Sequence, residues 1–169
     1  MPVVNPEHLL DQAEKLLKKT GAGAIRQTDL RRAISNAYYA VFHTALIAAA
    51  DDFAGATKRQ SPRYALVYRS IGHNDLKKLC DILANSNLPK KYSLYMPADG
   101  FGDDIVAFAT ALSGLQEQRH VADYDPLAKI RLSDAALAVA TSKSAIGRLK
   151  NSNRNKRKAF LSLVVFDPR

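Results

Sequence analysis

The chain has 169 residues, 47% hydrophobic and 24% charged, the composition of an ordinary soluble domain that can bury one core without staples. Its lone cysteine, Cys80, excludes an internal disulfide framework and any four-cysteine metal site, and fits a reducing cytoplasm. Lysine and arginine outnumber aspartate and glutamate 25 to 16, a formal charge of +9 that favours acidic partners without specifying an activity.

Asn5 and Pro6 open the first predicted helix as N-cap and first-turn proline, with Leu9, Leu10, Ala13, Leu16 and Leu17 on its apolar stripe. Lys18 and Lys19 suit its C-terminal end, and Thr20-Gly21-Ala22-Gly23 stops it. Glu7, Asp11 and Glu14 among the leucines deny this segment the character of a signal peptide. A long second helix is expected from Thr28 to Asp52, its core face reading Leu30, Ile34, Ala37, Tyr38, Val41, Ala45 and Ala48. Residues 54–104 read as an irregular insertion: Ser61-Pro62 starts one short helix, Asn74-Asp75 another over Leu76 to Leu83, and a loop runs from Leu88 to Gly102. A further long helix spans Asp103 to Tyr124 and must end there, because Pro126 pushes the preceding residue out of helical geometry. Ser133-Asp134 opens the next, to Lys150, and residues 151–169 hold a basic C-terminal helix opened by Asn153 or Asn155 and ending near Phe166. No period-two pattern persists, so an all-α bundle of long antiparallel helices with a smaller helical insertion is expected. The longest apolar runs are interrupted by His43, Thr44 or Ser162, and no membrane-spanning segment is expected.

Two polar features interrupt the apolar faces. Counting back from Ala122 gives Leu115, Leu112, Phe108 and Ile105 at spacings of three and four, and Arg119 falls on this same stripe. A guanidinium there needs a partner: an internal carboxylate such as Asp123 one turn on, a second subunit, or a phosphate that its planar fork matches. In the second helix, Arg32, Asn36, Tyr39 and His43 recur at spacings of four, three and four beside the apolar face, either as a hydrogen-bonded seam or as a site. His43 and His120 are candidates for general acid or base, since imidazole titrates nearest neutral pH, whereas His8 and His73 have no comparable context. The four histidines are too scattered for helical metal-ligand spacing, and no Gly-rich phosphate loop follows a strand, so neither a metal nor a nucleotide cofactor is expected.

Basic residues interleave with tyrosines in several stretches. Lys58, Arg59, Arg63 and Arg69 accompany Tyr64 and Tyr68, and Lys90 and Lys91 accompany Tyr92 and Tyr95. Arg148, Lys150, Arg154, Lys156, Arg157 and Lys158 cluster near the C-terminus. Cations for a phosphate backbone beside aromatic faces for unstacked bases are what single-stranded RNA binding uses; the other reading is a solvated surface with tyrosines in the core.

The segments Arg31-Arg32-Ala33-Ile34-Ser35-Asn36-Ala37-Tyr38-Tyr39-Ala40-Val41-Phe42-His43 and Arg119-His120-Val121-Ala122-Asp123-Tyr124-Asp125-Pro126 resemble the HEPN superfamily, in its branch with an AYYAxFH helix and an R-x-x-ADY helix. The resemblance covers residues 5 to about 150. It implies an up-and-down bundle of four or five helices, commonly homodimeric, in a superfamily that includes metal-independent endoribonucleases acting as toxins and antiviral effectors. Those enzymes pair an arginine with a polar neighbour and a histidine four to six positions later. Here Arg119 and His120 fit, but Tyr124, Asp125 and Pro126 stand where that histidine falls.

Two readings follow from the resemblance. In one, a cytoplasmic, dimeric RNA-cleaving effector uses Arg119 at the phosphate, His120 or His43 for proton transfer, and Asn36, Tyr39, Asp123 and Tyr124 to hold substrate. In the other, a bundle without chemistry binds RNA or a protein. Relatives of the first kind are often kept in check by an adjacent neutralising protein.

Overall fold

Helix α1 (Pro6–Leu16) begins where the Asn5 side chain accepts from the Glu7 amide, so a free donor of the first turn is satisfied at once. The computed structural model describes residues 4–18, 23–85 and 88–168. Leu10 and Ala13 of α1 are buried while Leu9, Leu16 and Leu17 pack partly against the core; of the stop expected over Thr20-Gly21-Ala22-Gly23, residues 20–22 lie outside the described residues.

Helix α2 (Gln27–Ala50) is the central rod, and most of its side chains are buried. Seven alanines keep it slim enough for neighbours on several sides. Ser142 donates to the Ala37 carbonyl at 2.8 Å, an approach only small residues allow. The stretch Gln27–Lys58 is long and apolar enough to cross a membrane by length and composition alone, but 78% of its most apolar window is buried within the fold. Its apolar surface is instead mostly spent on the other helices. Beyond Ala50 the chain widens into a π-helical turn over Asp51–Gly55, which ends at Gly55 with φ of 93°, a backbone region glycine enters without strain.

Within residues 54–104 lie the two expected short helices, α3 (Pro62–Ser70) and α4 (His73–Ala84), and the expected loop from Leu88 to Gly102 holds one further turn, α5 (Lys90–Ser93). Ser61 caps α3 by accepting from the Tyr64 amide. Helix α6 (Gly102–Tyr124), α7 (Leu132–Asn151) and α8 (Arg154–Val165) complete an all-helical fold. Asn153 caps α8 through the amides of Asn155 and Lys156.

Helices α1, α2, α6 and α7 pack as the main layer, with α4 against α6 and α3 against α2. Tyr38, Phe108, Phe160, Ile105, Leu112 and Leu149 are among the fully buried side chains at its centre. The antiparallel α2 and α6 are locked at one end by Arg31. Its Nη1 donates to the carbonyls of Ala122 at 2.8 Å and Asp125 at 2.9 Å, and its Nη2 donates to the Ala128 carbonyl. These carbonyls lie at or beyond the last turn of α6, where helical partners run out. Gln27 adds a reciprocal pair with the backbone of Ile130, at 2.7 and 2.9 Å.

Candidate functional site

Ile105, Phe108, Leu112, Leu115 and Ala122 of α6 are all buried, as the stripe requires, and Arg119 shares their face with its side chain only 18% exposed. Its charge is met one turn on: Nε lies 2.7 Å from Asp123 Oδ2. That N–H is not aimed at the oxygen, and the buried Nε makes no aligned hydrogen bond, so the contact is ionic. Asp123 is fixed from the other side by the hydroxyl of Ser35 on α2. Arg119 Nη2 donates to Tyr39 Oη at 3.0 Å and to Tyr124 Oη at 3.4 Å. The guanidinium carbon stands 5.5 Å from the Tyr39 ring centre and 5.2 Å from that of Tyr124, within cation–π range of both. Among the described residues, no side chain or carbonyl accepts from Nη1.

Tyr39 extends the cluster. Its ring centre lies 5.4 Å from Tyr38, 6.1 Å from His43 and 5.8 Å from His73. Both imidazoles also ride on Phe42, His73 stacked at 3.8 Å and His43 edge-on at 5.5 Å. Each Nδ1 meets a tyrosine hydroxyl: Tyr68 of α3 at 2.6 Å from His43, and Tyr38 at 2.7 Å from His73. Tyr38 Oη is also 3.3 Å from Gln116 Oε1 of α6. Burial holds the pKa of His43 below its usual value, helped by His73 nearby. Burial does the same to His73, with the Arg119 charge adding to it. Burial raises the phenols of Tyr38 and Tyr68, so both keep their protons as neutral hydrogen-bonding partners.

The polar ladder of α2 divides. Tyr39 and His43 join Arg119, whereas buried Asn36 faces α1 and donates to Gln12 at 3.4 Å. Arg32 and Asn36 line a separate basic cleft of about 530 Å³ with Gln12, Lys15 and Arg26. Angular position put all four on one side of α2, but height along a 24-residue rod decides which neighbour each meets. His120 is exposed and leans on Tyr124 at 5.1 Å. His73, set aside in the sequence, sits at the first turn of α4 beside Phe42. Its only local signal was the Ile71-Gly72 break that starts that helix; nothing local foretold Tyr38 as its partner.

The interleaved basic stretches are mostly engaged internally. Tyr64 and Tyr92 are buried, and Tyr64 donates to Asp51 at 3.0 Å. Arg59 forks onto Asp51 at 2.6 and 3.0 Å, and Arg63 reaches the Phe53 carbonyl. Lys91 pairs with Asp167, Arg148 with Asp104, Lys150 with Glu7, Lys156 with Asp99 and Lys158 with Asp52. A cleft of about 580 Å³ beside the second half of α2 is lined by Thr44, Ile47, Ala48, Asp51, Arg59 and Lys150, whose two cations are both among these paired ones. Comparison with family models, curated proteins and solved structures finds no match for this chain.

Proposed function

We propose that this chain is an RNA-interacting, HEPN-like helical bundle in which Arg119 contacts phosphate. One observation carries this reading: on a protein of charge +9, a largely buried arginine lies between two tyrosine rings with one terminal nitrogen lacking a partner among the described residues. Tyr124, 62% exposed, offers a face on which an unstacked base can lie, while the guanidinium supplies donors for the adjoining phosphate. Metal-independent cleavage in a toxin or defence system is the enzymatic form of this proposal.

A second reading has its own support. Asp123 already answers the charge of Arg119, and Val121, Tyr124 and Leu127 form an exposed, partly apolar surface beside it. These features suit a bundle without chemistry that binds a protein, either a second copy of itself or a neutralising partner.

Binding of a labelled single-stranded RNA of mixed sequence, measured across salt concentrations, tests the first reading. Wild type is expected to bind with an affinity that falls as salt rises, and Arg119→Ala to weaken it roughly ten- to a hundredfold, the value of a charge-assisted contact. Equal affinities in the two proteins exclude Arg119 as the phosphate contact and leave the protein-binding reading.

A further inference from the structure

We propose that His73 and His43 are the paired imidazoles of an RNA phosphodiester-cleaving site beside Arg119, His73 taking the 2′-hydroxyl proton and His43 protonating the departing 5′-oxygen. The proposal rests on the RNA-interacting reading above and names the residues that would make it an enzyme. Three helices converge to build the site. His43 and Tyr39 come from the middle of α2, His73 from the start of α4, and Gln116 and Arg119 from successive turns of α6.

The hydrogen bonds prepare both rings. A phenol has one proton to give. When Tyr38 gives it to Gln116 Oε1 at 3.3 Å, it can only accept at the 2.7 Å contact, so His73 carries its proton on Nδ1 and presents the Nε2 lone pair. Among the described residues Tyr68 has only His43 as hydrogen-bond partner, at 2.6 Å, and its oxygen accepts Nδ1–H of the protonated ring while Nε2–H remains to be given away. Among the described residues, neither Nε2 has a protein partner. Tyr39 stacks on His43 and Phe42 on His73, and each meets the other imidazole edge-on, which fixes the ring planes without consuming a nitrogen.

The chemistry balances without a metal or a cofactor. His73 Nε2 removes the 2′-hydroxyl proton, O2′ forms a bond to phosphorus, and the bond from phosphorus to O5′ breaks as His43 Nε2 delivers its proton there. The products are a 2′,3′-cyclic phosphate and a 5′-hydroxyl. Arg119, near enough to His73 for its charge to act on that ring, supplies positive charge for the non-bridging oxygens. The titratable and charged groups that face the two rings are Tyr38 and Tyr39 on α2, Tyr68 on α3 and Arg119 on α6; beyond burial, the Arg119 charge lowers His73 and His73 lowers His43. Asp123, although paired with Arg119, contacts neither ring directly. One ring must be charged and the other neutral, so the rate should pass through a maximum on the acid side of the ordinary imidazole range, because burial lowers both pKa values.

The test is cleavage of a short single-stranded RNA in EDTA from pH 5 to 8, with products identified by mass and with RNA binding and thermal melting measured in parallel. Wild type is expected to yield cyclic phosphate ends with a bell-shaped pH dependence, and to spare an RNA carrying 2′-deoxyribose at every position. His73→Gln and His43→Gln should each lower the rate at least about a hundredfold while binding changes by no more than about twofold. Tyr38→Phe keeps the His73 ring stacked but removes its Nδ1 acceptor. It should slow cleavage about tenfold and displace one limb of the pH profile, so the proposal stays testable if a glutamine variant fails to fold. Wild-type binding without cleavage, or cleavage unaffected in His73→Gln and Tyr38→Phe, overturns the paired-imidazole site alone. Absence of RNA binding by wild type overturns the RNA reading with it.

Discussion

Arg119 and Tyr39 meet at 3.0 Å across the α2–α6 interface, so the polar interruption of one helix is the partner of the interruption in the other. Neither is tolerable alone on an apolar face, since a guanidinium without acceptors and a phenol without a partner both carry the cost of lost hydration. Packed together, they make the interface specific as well as stable. The Tyr39 ring also carries both imidazoles, His43 stacked at 6.1 Å and His73 edge-on at 5.8 Å.

The pair of Arg119 and Asp123 has opposite consequences for stability and for binding. With side chains 18% and 26% exposed, it is neither a surface bridge nor a sealed one, and its loss in Arg119→Ala should cost about 1–3 kcal/mol. Asp123→Asn should also lower the melting temperature, yet strengthen RNA binding, because it frees the guanidinium of its counter-charge. Arg119→Lys keeps the charge but not the fork, and should recover less than half of the binding free energy lost in Arg119→Ala. Anisotropy titrations beside melting curves separate these effects; tighter binding in Asp123→Asn is the diagnostic outcome.

Stability should fall as the medium is acidified. Both His43 and His73 have folded pKa values below the ordinary 6.5, so the unfolded chain binds more protons than the folded one below that pH. The neutral rings are fully compatible with the fold above pH 6.5, and stability is lost progressively as pH drops through 6.5 toward the lowered folded values. Melting temperatures from pH 8 to 5 should therefore decline, and His43→Gln or His73→Gln should flatten that decline. A wild-type curve unchanged between pH 7 and 5.5 contradicts the burial argument.

The stripe ending at Ala122, the caps at Asn5 and Ser61, and the stop before Pro126 were legible because each is a local rule, and the structure places helices where those rules put them. Arg119 was legible for the same reason, as a charge in an apolar period. His73 was not. Its role depends on Tyr38 and Phe42, more than thirty residues earlier, and no spacing rule links the first turn of one helix to the middle of another. The tyrosines among basic residues failed in the reverse direction, because Tyr64 and Tyr92 alternate with cations in sequence yet point inward from short helices. Asn36 shared the angle of Tyr39 but met α1 rather than α6, a matter of axial height that periodicity does not report.

Arg31 should prove more costly to lose than its half-exposed position suggests. It donates to three carbonyls at and beyond the end of α6, and truncation leaves all three without their charged donor. Arg31→Ala should destabilise by about 2–4 kcal/mol, with the individual bonds not additive. Arg31→Lys, which can reach only part of this set, should recover less than half. Denaturant unfolding with an unchanged slope measures both.

Self-association is expected through the end of α6 and the turn that follows it. Leu127 is 91% exposed, Tyr124 62% and Val121 43%, an apolar group beside the Arg119 cluster. A two-fold pairing sets this patch against its own copy, the self-complementary arrangement that a closed dimer requires. Sedimentation at tens of micromolar should then report about twice the 18.5 kDa of one chain. Leu127→Glu places two carboxylates at the centre of the contact and should return the protein to the monomer with its melting profile otherwise intact, since the residue contributes almost nothing to its own core. A wild type that sediments as a single chain, or a Leu127→Glu variant that still pairs, removes this surface as the site of association.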